Sequence, residues 1–200
     1  MFLVFISESK KLVIIQQRSP VYKERREEFY SEFCNWMSRH EFGTIMILSS
    51  SFDQFLMPEL HESSEVPIKY LGYNMNDSLR DYIKKNTRLQ PVLPVDPETM
   101  IPNIDGRIYL PGSGSTRGYL KLFSKSFPKT PIICLVLFCS EGENQLHAMV
   151  FADVVAELIN RDKPVLPVRL QKDSKLSKYT WETPWSWRRM FGNEPPAHMF

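Results

Sequence analysis

From Ile132 to Cys139 the chain reads Ile-Ile-Cys-Leu-Val-Leu-Phe-Cys, without one polar residue. The run is far shorter than the ~20 apolar residues a membrane-spanning helix needs. Its β-branched and aromatic content suits a strand. A strand apolar on both sides must be covered on both sides, as happens in an α/β sheet with helix layers above and below. Thr44-Ile45-Met46-Ile47-Leu48, running into Ser49-Ser50-Ser51, is a second stretch of this kind.

The remaining text supplies the other elements. Met1 to Ser7 and Lys11 to Gln17 read as a hairpin about the polar turn Glu8-Ser9-Lys10. Tyr22 to His40 carries Phe29, Phe33, Trp36 and Met37 at helical spacing, opposite Lys23, Arg25, Arg26, Glu28 and Glu32, and ends at Phe42-Gly43. Strand, helix, strand in that order predicts a βαβ crossover in which residues 44–48 form a central strand buried on both faces. A strand over Ile68 to Leu71 and a helix over Asp77 to Thr87 follow, with Leu79, Tyr82 and Ile83 inward. Pro91, Pro94, Pro97 and Pro102 make Gln90 to Asp105 an extended surface excursion. Arg107 to Leu110 is a short strand, entering a Gly and Ser turn over Pro111 to Gly118 and a helix from about Tyr119. Gln145 to Asn160 is a helix with a wide apolar stripe, Leu146, Met149, Val150, Val154, Ala156, Leu158 and Ile159, capped at Glu143-Asn144. The expected fold is an α/β sandwich: a mostly parallel central sheet with helices on both faces. It forms a single core domain over residues 1–170, followed by an aromatic, proline-containing C-terminal segment and tail over residues 171–200.

Charge narrows the partners. Against 25 Lys and Arg stand 23 Asp and Glu, a net charge of +2 in 200 residues, which leaves no broad footprint for nucleic acid or anionic membrane. Cys34, Cys134 and Cys139 are odd in number and scattered, which predicts reduced thiols. The apolar opening Met1 to Ile6 has no basic lead-in and is cut off by Ser7-Glu8, unlike a signal peptide. These features predict a soluble chain of the cytoplasm and nucleus.

Candidate chemistry is sparse. The loop Pro111-Gly112-Ser113-Gly114-Ser115-Thr116-Arg117-Gly118 is rich enough in glycine to bring backbone N–H groups to an anion at a helix start. It lacks both the Gly-Lys-Ser/Thr ending of a phosphate-binding loop and the dinucleotide fingerprint, so a tight strand-to-helix connection is favoured. Ser49 to Ser51 sit at a strand end without the Gly-x-Ser-x-Gly elbow of a serine nucleophile. His40, His61, His147 and His198 stand at no metal-ligand spacing with one another or with a cysteine. Cys139 has no basic neighbour in sequence to lower its pKa. Glu141 and Glu143 are accounted for by negative charge at a helix start. No catalytic, cofactor or metal site is expected, and the alternative to a binding protein is a nucleoside- or phosphate-binding α/β enzyme.

The last thirty residues offer a recognition surface. Trp185, Trp187, Arg188 and Phe191 concentrate the residue types that dominate interface hot spots. His198, Met199 and Phe200 put an apolar end before the C-terminal carboxylate, a plug for another protein's pocket. These seven residues are the candidate partner-binding set. A tail that folds back over its own core stands as an equal reading.

The ending Trp181-Glu-Thr-Pro-Trp-Ser-Trp-Arg-Arg-Met-Phe-Gly-Asn-Glu-Pro-Pro-Ala-His-Met-Phe200 resembles that of the proteasome assembly chaperone 2 family. Ile45-Met-Ile-Leu-Ser-Ser-Ser51, Leu110-Pro-Gly-Ser-Gly114 and Ser140-Glu-Gly-Glu-Asn144 are similar to three further stretches of it, in collinear order. The resemblance implies a chaperone without enzymatic activity or cofactor. It would pair with proteasome assembly chaperone 1 and promote assembly of the α-ring of the 20S proteasome by binding α-subunits. It also implies an α/β fold akin to nucleoside-phosphorylase-like domains. Members carry an opening strand and helix before the segment that matches Met1 to Gln17. By that comparison the present sequence looks like an N-terminally shortened form or an incomplete gene model, with Met1 to Ile6 an internal strand, and the missing elements would leave an edge or apolar face unpaired. The ending His198-Met199-Phe200 lacks the penultimate tyrosine of tails that insert between α-subunits, which assigns more of that insertion to the partner chaperone.

Overall fold

The molecule is organised about the apolar run, which forms β6 (Ile132–Phe138) and is buried at every residue. A computed structural model describes residues 2–55, 67–87, 89–92, 110 and 112–160, together with Trp181 and Trp187. One flank of β6 carries β3 (Ile45–Ser51), paired in parallel from Ile45 opposite Ile132 to Ser51 opposite Phe138. The other carries β4 (Ile68–Tyr73), antiparallel. The two-residue β5 (Gln90–Pro91) adds to β4 in parallel, giving the order β3-β6-β4-β5. The sheet is therefore mixed, with two of its three pairings parallel.

Period-two alternation along β6 divides the core. Ile132, Cys134, Val136 and Phe138 point to the face covered by α1 (Arg26–Ser38) and α3 (Thr116–Ser126), where Cys34, Met37, Leu120 and Phe123 meet them. Ile133, Leu135 and Leu137 point to the face covered by α2 (Asp77–Asn86) and α4 (Gln145–Ile159), against Leu79, Ile83, Val150 and Leu158. Helices thus lie on both faces, as expected. No described helix is long and apolar enough to cross a membrane.

The predicted βαβ crossover takes a different form. β1 (Phe2–Ser7) and β2 (Leu12–Gln17) form a hairpin from Phe2 opposite Gln17 to Ser7 opposite Leu12, but it is a separate two-stranded sheet. α1 therefore leads from one sheet to another. β3, expected at the centre, has β6 on one side and no described strand on the other. Its apolar text matches a central strand and its position does not.

Local chemistry explains most boundaries. α1 starts at Arg26, after a 3₁₀ turn over Lys23–Arg25, and its first turn is braced by Arg25 donating two hydrogen bonds of 3.0 Å to Glu28. Its apolar face is a row of rings: Phe2 stacks on Phe29 at 5.0 Å, Phe29 on Phe33 at 5.6 Å and Phe33 on Trp36 at 6.1 Å. α2 is capped by Asn76, whose Oδ1 accepts from the Leu79 amide at 2.9 Å. α3 begins at Thr116, ahead of the expected Tyr119, because the loop's own hydrogen bonds close its first turn. Gly118 lets α3 approach α1, since a Cβ there would lie 2.8 Å from the Tyr30 hydroxyl.

α4 departs from expectation twice. Asn144 gives it no side-chain cap; its Nδ2 turns back to donate to the Ser140 carbonyl at 2.7 Å. Leu146, placed on the buried stripe by periodicity, is exposed. Asp153 and Glu157 are buried instead. The domain boundary at residue 170 and all of the Arg107 to Leu110 strand except Leu110 lie outside the described residues.

Candidate functional site

The glycine loop and the serine cluster meet at the C-terminal end of β3. Gly112 and Gly114 have φ of +75° and +57°, the left-handed region open to glycine. A Cβ on Gly112 would also fall 2.7 Å from the ring of Phe52. Ser113 Oγ donates to the Leu110 carbonyl at 2.6 Å, and Thr116 Oγ1 donates to the Ser113 carbonyl at 2.7 Å. The Ser113 and Thr116 amides close turns onto the Leu110 and Ser113 carbonyls. Ser49 Oγ lies 2.7 Å from Thr116 Oγ1. The loop ties the start of α3 to the end of β3, and the hydroxyls and amides of Ser113 and Thr116 are engaged within the fold.

Two of the thiols, Cys134 and Cys139, are held in their protonated form. Burial pushes Cys134 up to about 12. Cys139 is raised by burial and then by the Asp53 carboxylate, which also accepts a hydrogen bond from Ser140 Oγ. That is the reverse of what a nucleophilic cysteine needs. His40 packs against Trp36, ring centroids 4.8 Å apart, and His147 is exposed on α4. Among the described residues no three His, Cys, Asp or Glu side chains cluster as metal ligands.

The hairpin is fastened to the helix layer at two points. Phe2 stacks on Phe29, and Tyr119 Oη of α3 donates to Gln17 Oε1 of β2 at 2.8 Å. Burial, then the neighbouring Tyr30, pushes the Tyr119 phenol up to about 12. A phenol whose pKa rises on folding stabilises the native state below pH 10 and loses that contribution as pH climbs through 10 to 12. Cys134 adds to the same loss from about pH 9. Chemical unfolding between about pH 9 and 12 is therefore expected to show falling stability. Tyr119→Phe should flatten the fall, and an unchanged slope would remove Tyr119 as its source. Beyond these fastenings the hairpin is apolar and open, with Val4, Phe5, Ile6 and Ile14 exposed.

Of the seven predicted partner-binding residues, Trp187 is described, while Trp185, Arg188, Phe191, His198, Met199 and Phe200 lie outside the described residues. Trp187 is exposed, and its carbonyl accepts from Gln145 Nε2 at 3.4 Å at the start of α4. Trp181 makes the stronger attachment: its Nε1 donates to Asp153 Oδ1 at 2.6 Å, and Asp153 is only 1% exposed. The C-terminal segment thus meets α4 at Asp153 and again two turns earlier, at Gln145. Sequence reading missed Asp153, whose signal was a carboxylate inside the apolar stripe of α4.

No protein-family model matches the sequence. Similarity to curated proteins is consistent nonetheless. Over 164 residues the chain is 28% identical to a Nematostella vectensis protein named proteasome assembly chaperone 2, covering 80% of this chain and 65% of that one. It is 27% identical over 201 residues to the Homo sapiens protein of the same name, covering 98% of this chain and 71% of the human protein. The Xenopus tropicalis protein of that name is 24% identical over 211 residues, with the same two coverages. The chain thus spans about two thirds of the length of these relatives. Over 80–98% of its length the chain is similar to proteins named proteasome assembly chaperone 2.

Proposed function

We propose that the chain promotes assembly of the 20S proteasome α-ring in the cytoplasm and nucleus, as a heterodimer with proteasome assembly chaperone 1 and without an enzymatic step of its own. The carrying observation is the similarity over 98% of the chain to a protein named as a proteasome assembly chaperone. Two structural features support it. The exposed Val4, Phe5, Ile6 and Ile14 make an apolar surface of the sort found at protein interfaces. The attachment of Trp181 to Asp153 fixes the start of the aromatic segment while leaving Trp187 exposed, so anchoring and recognition fall to different residues.

The test is co-expression of the folded chain with proteasome assembly chaperone 1 and α-subunits. Co-purification of all three components is expected. Deleting Pro195 to Phe200 should weaken capture of α-subunits and leave the heterodimer intact. A folded chain that retains neither partner would overturn the reading. The alternative, a nucleoside- or phosphate-binding enzyme, predicts stabilisation by about 2.7 kcal/mol at a ligand concentration 100-fold above Kd. The engagement of the Ser113 and Thr116 hydroxyls and amides within the fold argues against such a shift.

A further inference from the structure

α3 differs in charge from α1, α2 and α4. α1 and α2 carry both signs, and ion pairs form among them: Lys85 meets Asp81 at 3.4 Å on α2, and Arg25 meets Glu28 at 3.0 Å at the start of α1. α4 carries Asp153 and Glu157, both buried. On α3 the charged residues are Arg117, Lys121 and Lys125, all exposed, and the exposed Lys129 follows just beyond its end. No Asp or Glu occurs between Asp105 and Glu141. Among the described residues no carboxylate forms an ion pair with any of the four. Four-residue spacing puts Arg117, Lys121 and Lys125 on one face, the second and third about 6 and 12 Å along the axis from the first. Each step is a like-charge pair at i, i+4, which weakens a helix. Arg117 also stands in the first turn, where the helix dipole favours anions and no acidic residue offsets it. The stripe therefore works against the helix that bears it, and stability does not account for it. Leu120 and Phe123, on the other side of α3, are buried in the core, so packing holds the helix and presents the stripe outward.

We infer that the outer face of α3 is a docking surface for an acidic helix of a partner protein. Carboxylates at the same four-residue spacing would each face one of Arg117, Lys121 and Lys125, so the match is one of charge and of period. The partner supplies the counter-charges that this stretch of chain lacks. Nucleic acid fits less well, because the rings of α3, Tyr119 and Phe123, pack into the core rather than standing open for bases to stack on. A membrane surface also fits less well. Among the described residues none of the exposed large apolar side chains lies on α3, so its lysines have no apolar flank to insert. The surface is separate from the hairpin and from the C-terminal segment, and the inference does not rest on the chaperone reading.

The probe is a synthetic Ala-based peptide of about 20 residues, long enough to be helical alone, with three Glu residues at four-residue spacing. It is expected to bind the purified chain with an affinity that falls as salt rises. That affinity should drop at least tenfold in Arg117→Glu/Lys121→Glu/Lys125→Glu, while Lys84→Glu/Lys85→Glu on α2 leaves it unchanged. The triple variant should instead bind the same peptide with Lys in place of Glu. Arg117→Glu alone should raise the melting temperature, since it exchanges a cation for an anion in the first turn of α3. Four outcomes would overturn the inference: no binding of the acidic peptide, equal weakening by the α2 variant, a lower melting temperature in Arg117→Glu, or tighter binding of a single-stranded RNA or of phosphatidylserine vesicles through the same three residues. None of these readouts involves proteasome subunits, so failure here is distinct from failure of the proposed chaperone function.

Discussion

Leu135→Ala is expected to lower the free energy of unfolding by about 2–5 kcal/mol, enough to unfold a marginal domain. Leu135 is fully buried, midway along β6, between Leu48 of β3 and Tyr70 of β4, and it packs in the core beneath α2 and α4. Truncation removes its transfer free energy and leaves a cavity that three strands and two helices cannot close. Leu48→Ala deletes the same atoms from the neighbouring strand and should cost less than about 1 kcal/mol, as expected for a half-exposed side chain. Urea unfolding of the two variants checks the pair. Equal losses would mean that β3 is covered in solution and that its outer edge is already occupied.

Asp153→Ala should cost about 1.5–3 kcal/mol, the range for a hydrogen bond to a charged group. Its more telling effect is on the C-terminal segment, because the bond from Trp181 Nε1 crosses from that segment to α4. Limited proteolysis between residues 160 and 181 should accelerate in the variant. Asp153→Asn keeps an acceptor and should retain part of the protection. A double-mutant cycle with Trp181→Phe isolates the bond, and a coupling energy near zero would assign the role of Asp153 to its other contacts.

What the sequence made legible follows from where the decisive contacts lie. β6 was readable because a run apolar on both sides has one physical solution. α1 and α2 were readable because their apolar positions recur at helical spacing. Leu146 misled because periodicity reports a face without saying how far along the helix that face is covered. The place of β3 at the edge of the sheet formed by the described residues was illegible for a similar reason: Thr44 to Leu48 records the company the strand is suited to keep, and pairing depends on chain far away. The loop at Gly112 was read as a connection from the motifs it lacks, while its bond to Ser49 required the fold. The partner-binding residues were chosen for hot-spot chemistry. The structure adds Asp153, a residue whose burial gives it meaning and whose type alone does not.

The order of strands carries a consequence for biogenesis. β6 lies between β3 and β4 in space and follows both in the chain. At ~5–20 residues per second of synthesis, Ile45 waits seconds for Ile132 to exist. Until then β3 and β4 have no neighbour to bring them together, and the sheet cannot close from its N-terminal end. The nascent chain therefore passes through a period with two apolar strands unjoined, and its yield in the cell depends on how that interval is shielded as much as on the stability of the finished fold.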